Sequence, residues 1–333
     1  MRVDNPRTDR PRPFRFADLR RGSGDAAAEL LAGLLAARAA ILPKYFYDEL
    51  GSRLFAAICC LPEYSLTRSE AHLFARRGGE IAEAAGRGRL LIDLGAGDCG
   101  KAAGLFPLLA PAGYAALDIS ADFLREALGR LRQRFPDLPI AGAAIDFTHS
   151  LDLPEDLLAP ASAPQLWFYP GSSIGNFAPE AARAFLARIA RACGAAPAGG
   201  ALLIGVDLVK DKAVLDAAYD DALGVTAAFN LNVLNHANRL LPADFDVADW
   251  RHVAFFDPAA SRVEMHLEAR REVTVKLAGQ ARRFAAGERI HTEDSYKWTA
   301  EGFAALLEAA GLPKQRRWLA EEGGFALFLA APA

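Results

Sequence analysis

A glycine-rich turn behind an apolar run is the part of this sequence where residue types and spacing first suggest chemistry. Residues 90 to 101 read LLIDLGAGDCGK, in which Leu90, Leu91 and Ile92 precede glycines spaced G-x-G-x-x-G. The apolar run predicts a strand buried on both faces, and the glycines let the backbone turn sharply and come close to a ligand. Because dinucleotide-binding turns share this spacing, the spacing alone leaves the ligand open.

The charges in this turn favour a cationic ligand. Asp93 precedes the glycines and Asp98 lies among them, whereas the pyrophosphate of NAD needs hydrogen-bond donors without anions nearby. S-adenosylmethionine (SAM) carries an ammonium and a sulfonium, and opposite charges about 4 Å apart gain roughly 4 kcal/mol before desolvation is counted. We therefore expect SAM here, with a NAD site and a glycine loop without a ligand as the alternatives.

Two more acidic residues follow the next predicted strands. Asp118 lies in YAALDIS, and Asp146 with Phe147 follows the apolar run after it. Ligands of parallel sheets bind outside the carboxyl ends of the strands. Asp118 is therefore predicted to accept hydrogen bonds from the ribose hydroxyls, Asp146 from the adenine amino group, and Phe147 to pack on the base. Each Asp taken singly could instead cap a helix or a turn.

Alternating strand and helix patterns must position these residues. From Arg89 to residue 207 the alternation predicts a parallel, doubly wound α/β sheet. It then breaks into helical and long β segments before it resumes near the C terminus, which predicts an inserted lid domain that the aromatic-rich segment after residue 43 joins. Thr67 and Glu70 have the spacing of a capping box that would start a helix.

These patterns divide the chain into five parts. The first combines seven arginines with three prolines and is predicted to be flexible. The predicted parts are a flexible arm (1–24), the N-terminal part of a substrate-binding domain (25–66), a SAM-binding Rossmann-like core (67–208), an inserted substrate-binding domain (209–290) and the C-terminal part of the core (291–333).

Composition excludes several kinds of function. A net charge of -3 at pH 7 argues against a nucleic-acid partner. The four cysteines contain no C-x-x-C and the six histidines no H-x-H or H-E-x-x-H spacing, which predicts neither a disulfide framework nor a metal site. No signal peptide or membrane span is indicated, so we expect a cytoplasmic monomer without a membrane partner.

A second motif offers a different reading. Residues 171 to 175, GSSIG, match the G-x-S-x-G nucleophile elbow of α/β-hydrolases, with Ser173 as nucleophile and His291 available downstream. That reading leaves the acids at the strand ends unexplained. We therefore favour a loop beside the methyl donor, in which Asn176 can donate to and accept from a polar substrate.

Dispersed motifs along most of the chain resemble one family. They are PKYFYDELGSRLF, LPEYSLTRSE, DLGAGDCGK, ALDIS, IDF, GSSIGNF, DLVKD, AYDDALGVTAAFN, VEMHL and TEDSYKW, between about residues 43 and 300. Together they are similar to the SAM-dependent histidine Nα-methyltransferases of ergothioneine biosynthesis. The resemblance implies a Rossmann-like class I methyltransferase sheet with an inserted α+β lid, and three methylations of L-histidine to hercynine.

The resemblance also implies roles for individual residues. The implied cofactor residues are Tyr64, Gly95, Lys101, Asp118, Asp146 and Phe147. In the implied substrate site Asn176 and Tyr219 hold the α-amino and α-carboxylate groups, Glu293 and Ser295 bind the imidazole nitrogens, Met265 shapes the pocket, and Tyr47 lies close to the amino group as a catalytic residue with Asn176. Asp98 and Cys99 stand where relatives often carry serines, which leaves methylation of tryptophan or tyrosine open. A SAM-binding sensor without activity is the alternative of another class.

Overall fold

An eight-stranded sheet forms the centre of the protein, in a computed structural model that describes residues 14–20 and 26–333. The strands of the protein, numbered in chain order, are β1 (Arg15–Asp18), β2 (Leu90–Leu94), β3 (Gly113–Asp118), β4 (Ile140–Ala144), β5 (Gln165–Tyr169), β6 (Gly200–Asp207), β7 (Trp250–Asp257), β8 (Arg262–Ala269), β9 (Val273–Leu277), β10 (Gln280–Phe284), β11 (Arg289–Tyr296), β12 (Lys314–Leu319) and β13 (Phe325–Ala331). The helices are α1 (Ala26–Leu35), α2 (Glu49–Ile58), α3 (Ser65–Ala85), α4 (Gly100–Leu109), α5 (Ala121–Arg134), α6 (Pro179–Ala195), α7 (Lys212–Tyr219), α8 (Val225–Leu240) and α9 (Ala300–Ala309).

The strand order of the central sheet is β1-β4-β3-β2-β5-β6-β13-β12. The pairs from β1 to β6 are parallel, and β13 runs antiparallel to both of its neighbours. Buried side chains of α3, α4 and α5 pack on one face of the sheet and those of α6 and α9 on the other. The predicted doubly wound α/β fold is confirmed, and its direction of winding reverses between β2 and β5, where such sheets bind ligands.

The prediction for the N-terminal arm is wrong for the residues of β1. Arg15–Asp18 pair in parallel with β4 and extend the sheet by one strand. The arginines and prolines predicted flexibility, but a composition does not reveal that four residues can pair with the open edge of a sheet formed elsewhere in the chain. Residues 1–13 and 21–24 of the arm lie outside the described residues.

The inserted region forms two small sheets. One has the strand order β11-β8-β7 and the other pairs β9 with β10. Helices α1 and α2 pack against α8, and the Ile41 amide donates to the His291 carbonyl over 2.8 Å. The predicted boundary at residue 291 is wrong, because β11 pairs with β8 through Tyr296 and so belongs to the inserted sheet. The other domain boundaries stay predictions.

The two ends of the insertion lie side by side. Leu208 and Trp298 form an isolated β-bridge, and the Val209 amide donates to the Trp298 carbonyl over 3.0 Å. The chain therefore leaves the core after β6 and re-enters it at neighbouring residues.

None of the helices in residues 14–20 and 26–333 combines the length and the apolar character needed to cross a bilayer.

Candidate active site

Two adjoining cavities lie at the carboxyl ends of the central strands. The larger, of about 360 Å³, is lined by residues that include Gly95, Asp118, Asp146 and Phe147. The smaller, of about 40 Å³, is lined by residues from the inserted domain that include Tyr219, Met265, Glu293 and Ser295. Four residues line both cavities, and these are Tyr47, Phe55, Ser173 and Asn176. All of the sequence-predicted site residues except Lys101 thus line one cavity or the other, and the two cavities meet at a shared wall.

Two backbone hydrogen bonds hold Asp118 in the lining of the larger cavity. Its carboxylate accepts from the Gly97 amide and the Ser120 amide, both over 2.9 Å. Burial raises the pKa of this carboxyl despite those two bonds. Asp118 therefore ties the glycine turn to the end of β3 and has lone pairs left for a hydroxyl-bearing ligand.

Asp146 is bonded to several groups of the protein. It accepts from the Lys44 Nζ over 3.1 Å and from the Thr148 amide over 3.1 Å, and His149 Nδ1 lies 3.1 Å away. Burial alone would raise the pKa of Asp146, but the bonds from Thr148 and Lys44 lower it below its ordinary value. Lys44 also pairs with Glu29 over 2.8 Å, so α1 is linked to the edge of the larger cavity.

The acids that first suggested a cationic ligand do not line either cavity. Asp93 is buried within β2 and accepts from the Tyr114 hydroxyl over 2.7 Å, and burial raises its pKa to about 7. Asp98 accepts from the Gly100 amide over 2.9 Å at the start of α4. Asp118 and Asp146 therefore provide the acidic character of the larger cavity. Asp93 and Asp98, the two acids that first favoured SAM, have structural roles instead.

Lys101 and Tyr64 occupy other places than the larger cavity. The Lys101 Nζ pairs with Glu70 Oε2 over 2.6 Å, and the other oxygen of Glu70 accepts from the Gly171 amide over 2.8 Å. Tyr64, implied to bind the cofactor, lines the smaller cavity instead. Whether either side chain contacts the cofactor stays a prediction.

The expected capping box is wrong. Helix α3 begins at Ser65, before Thr67, and the Glu70 side chain turns into the protein toward Lys101 and Gly171. Glu70 is a site-supporting residue that sequence reasoning missed, since its partners are distant in the chain and the T-x-x-E spacing suggested a local role.

A β-bulge directs Glu293 into the smaller cavity. His291 pairs with His266 and Glu293 pairs with Met265, so Thr292 is the extra residue. Its hydroxyl donates to the Met265 carbonyl over 3.0 Å. Side chains alternate along a strand, and the inserted residue therefore reverses the faces of all positions that follow. Without the bulge, Glu293 and Ser295 would point away from the cavity.

Glu293 has a strongly perturbed acidity. Burial raises the pKa of its carboxyl to about 7, although the charge of Lys297 and a hydrogen bond from Asn176 oppose the shift. The group therefore exchanges its proton near neutral pH, and its ionised form is a pure hydrogen-bond acceptor.

Lys297 connects the hydroxyl groups of this cavity to the core. Its Nζ lies 2.9 Å from the Tyr219 hydroxyl, 2.9 Å from Ser295 Oγ and 3.0 Å from Asp207 Oδ2. The Tyr219 hydroxyl lies 2.7 Å from Ser295 Oγ. Sequence reasoning assigned neither Lys297 nor Asp207, which lie 90 positions apart. The fold brings them together because the chain returns to the end of β6 after the insertion.

Tyr47 lies at the wall between the cavities. Its ring contacts Phe55 and Phe229 edge to face, at centroid distances of 5.6 and 5.9 Å. Burial, together with the charges of Glu293 and Asp118, raises the pKa of its phenol well above the ordinary value. Tyr47 is therefore a neutral phenol in the ligand-free protein.

The nucleophile-elbow interpretation finds no support in the geometry. Ser172, rather than Ser173, has the left-handed backbone conformation, with φ of 59°. His291 bonds Asp294 over 2.9 Å, and no hydrogen bond joins Ser173 to a histidine in the described part of the chain.

Within residues 14–20 and 26–333, one group of side chains has the residue types and the spacing that could bind a metal ion. Potential ligand atoms of Glu264, His291 and Asp294 lie within 4.8 Å of one another. The Arg262 guanidinium donates to Glu264 over 2.6 Å and to Asp294 over 3.2 Å. These carboxylates already have a cationic partner, which accounts for the cluster without a metal.

The larger cavity fits an adenosine-bearing cofactor. Its volume is within the range of small-molecule sites. It combines a carboxylate at a strand end, suited to two ribose hydroxyls, with the Phe147 ring, suited to a base. The Gly95 position faces this ring, since a Cβ there would lie 3.9 Å from Phe147 Cζ. The chain therefore has a place for each part of the nucleoside.

Known proteins resemble this chain over nearly its whole length. The family described as "Histidine-specific methyltransferase, SAM-dependent" matches residues 26–332. A histidine N-alpha-methyltransferase of Mycolicibacterium smegmatis is 40% identical over 92% of this chain and 97% of its own length. A second, from Mycobacterium tuberculosis, is 38% identical over 91% and 94%. The chain belongs to the family of SAM-dependent, histidine-specific methyltransferases.

Proposed function

We propose that the protein transfers methyl groups from SAM to the α-amino group of L-histidine, in three steps that give the trimethylated betaine hercynine. The observation that carries this proposal is the small cavity in which Glu293 and Ser295 face the space beside Asn176 and Tyr47. It offers two polar groups for the two ring nitrogens, next to a wall shared with the cofactor cavity. Family membership supports the same substrate.

In this proposal the larger cavity positions the methyl donor. Asp118 holds the ribose, Phe147 packs on the adenine and Asp146 faces its amino group. When bound, SAM supplies an electrophilic methyl carbon on a sulfonium. The protein has to place a neutral amine in line with it at about 3 Å, and such positioning accounts for most of the rate that an enzyme of this kind can provide.

The acceptor amine reaches its place through the shared wall. Asn176 has an amide oxygen for the amine and an N–H left for the α-carboxylate, while Glu293 accepts from the imidazole. Tyr47 is a neutral phenol, so its oxygen can accept from an amine N–H but the residue does not act as a tyrosinate base. The substrate ammonium must lose its proton before methyl transfer, because only a neutral amine has the lone pair that attacks the methyl carbon.

The aromatic rings of the wall suit the charged products. Each methyl group replaces one N–H donor of the nitrogen, and the third transfer leaves a permanent positive charge with no donor. Cation–π attraction to rings such as Tyr47 and Phe55 can stabilise it by about 0.5–2 kcal/mol. This environment would let the dimethylated intermediate remain bound for a third transfer.

The direct test is incubation of the purified protein with SAM and L-histidine, followed by mass spectrometry. We expect mono-, di- and trimethylhistidine together with S-adenosylhomocysteine. Tryptophan and tyrosine in parallel reactions test another acceptor amino acid. Binding of SAM without S-adenosylhomocysteine release on any of these acceptors would support the sensor alternative and contradict the proposal.

Glu293→Ala tests the imidazole contact. We expect the KM for histidine to rise at least about tenfold, since a hydrogen bond to a charged group contributes about 1.5–3 kcal/mol. The affinity for SAM, measured by calorimetry, should stay nearly unchanged. Unchanged histidine kinetics would refute the assignment.

A further inference from the structure

A buried lysine has all of its hydrogen-bond donors committed inside the protein. An ammonium has three N–H donors and no acceptor, and Lys297 Nζ has three partners within 3.0 Å: Tyr219, Ser295 and Asp207. Its side chain is 0% exposed. Lys297 therefore can influence a ligand only through these partners.

The charge of Lys297 is secured by the same contacts. Burial alone would lower the pKa of the ammonium, but Tyr219 and Asp207 outweigh burial and raise the pKa above its ordinary value. Because a charged ammonium cannot accept, the Tyr219 and Ser295 oxygens must both accept from it.

Counting protons then fixes the state of the two hydroxyl groups. Each has one proton and two lone pairs, and the 2.7 Å separation of Tyr219 and Ser295 holds one proton between them. A phenol, with a pKa near 10, is the better donor of the two, so Tyr219 donates to Ser295. Ser295 then accepts from both Lys297 and Tyr219, and its own proton is left for the cavity that it lines.

We infer that Lys297 is a positioning residue that makes Ser295 a hydrogen-bond donor, so that Ser295 and the Glu293 carboxylate together select a ring with one acceptor and one donor nitrogen. The neutral imidazole has this pattern. An imidazolium would place a second N–H against the Ser295 proton, and a ring without an acceptor nitrogen would leave that proton unpaired. The inference rests on the proposed function and assigns the direction of one of its hydrogen bonds.

The same assignment has a consequence for the amino-acid end of the substrate. Tyr219 gives its proton to Ser295 and has none for a carboxylate. The α-carboxylate then takes its hydrogen bond from Asn176. Lys297 thus acts on recognition of the ring and leaves methyl transfer itself unaffected.

Lys297→Met, which keeps much of the side-chain volume without the charge, tests the inference. Lys210→Met is the matched control, because Lys210 also pairs with Asp207 but donates to Gly324 rather than to the two hydroxyl groups. Both variants are compared with the wild type for histidine KM and kcat, for S-adenosylhomocysteine affinity by calorimetry, and for inhibition by the two pyrrolylalanine isomers, whose rings have an N–H but no acceptor nitrogen.

We expect Lys297→Met to raise the histidine KM about tenfold, the loss of roughly one hydrogen bond, with kcat and S-adenosylhomocysteine affinity changed less than about threefold. Pyrrolylalanine inhibition should change less than about threefold, so the preference for histidine shrinks. Lys210→Met should keep the wild-type preference. Tyr219→Phe, which frees one Ser295 lone pair, should also shrink the preference and provides the test if Lys297→Met does not fold.

An equal loss for histidine and the pyrrolylalanines, or equal behaviour of the two lysine variants, would overturn the inference. Failure of the wild type to methylate histidine would instead contradict the proposed function. The two failures are therefore distinguishable.

Discussion

Replacement of Glu293 by Gln should stabilise the protein at alkaline pH relative to the wild type. The pKa of this carboxyl is raised from 4.5 to about 7 by burial. Between these values the folded protein holds a proton that the unfolded chain has released, so the free energy of unfolding falls as pH rises through this window. Gln cannot ionise and avoids this loss.

The size of the effect follows from the shift. One pKa unit corresponds to about 1.4 kcal/mol, so the full shift gives an upper limit of about 3 kcal/mol, of which between about 2 and 3 kcal/mol develops from pH 5 to pH 8. With an unfolding entropy of about 2.1 cal/mol/K per residue, the Tm of the variant should gain roughly 3–4 °C on the wild type between these pH values.

The assay is thermal unfolding of both proteins at pH 5 and pH 8. Asp93, whose pKa is also raised to about 7, is present in both and cancels. Glu308→Gln, at an exposed position of α9, is the matched control and should shift Tm equally at both pH values. A Tm difference between Glu293→Gln and the wild type that is the same at pH 5 and pH 8 would refute the reasoning.

Three further substitutions address the larger cavity, the smaller cavity and the ion pair between Lys101 and Glu70. Asp118→Ala should weaken SAM binding at least about tenfold through loss of charge-assisted hydrogen bonds, and normal affinity by calorimetry would contradict the ribose assignment. Gly175→Ala places a Cβ 2.9 Å from the Tyr296 carbonyl, so it should displace β11 and raise the histidine KM about tenfold or more, whereas Gly129→Ala, with nothing within 4 Å, should not. Lys101→Met leaves the buried Glu70 carboxylate without its cationic partner, but the Lys101 side chain is 36% exposed, so the loss should be about 1–3 kcal/mol of stability in urea unfolding; a loss below about 0.5 kcal/mol would contradict a stabilising role of the pair.

The core of the fold was predictable because its signals are local. Asp118 and Asp146 follow short apolar runs, and parallel strands bring their carboxyl ends to one edge. The structure accordingly places both in the larger cavity. Asp93 also favoured a SAM site, but its side chain bonds Tyr114 inside the core. The sequence does not reveal which way an acidic side chain beside a glycine turn points.

The arrangement of the smaller cavity was harder to predict from the sequence. A period of two along RIHTEDSY puts Thr292 and Asp294 on one face, and the bulge at Thr292 changes this alternation. Nothing local in the sequence marks that bulge. Lys297 and Glu70 were missed because Tyr219, Asp207 and the partners of Glu70 lie far away in the chain, and only the assembled fold brings these residues together.

The neighbouring ends of the insertion make acceptor recognition a transferable part of the molecule. Because Val209 and Trp298 are directly hydrogen-bonded, a different segment could join the core at the same two points without altering the path of β6 or α9. Residues 26–66 pack on the insertion and would have to move with it. Exchange of both segments with those of a relative should transfer the amino-acid preference while the methyl-donor site stays unchanged. Because the Asp207–Lys297 ion pair lies at the junction, its formation would show that the exchanged segments are correctly docked on the core.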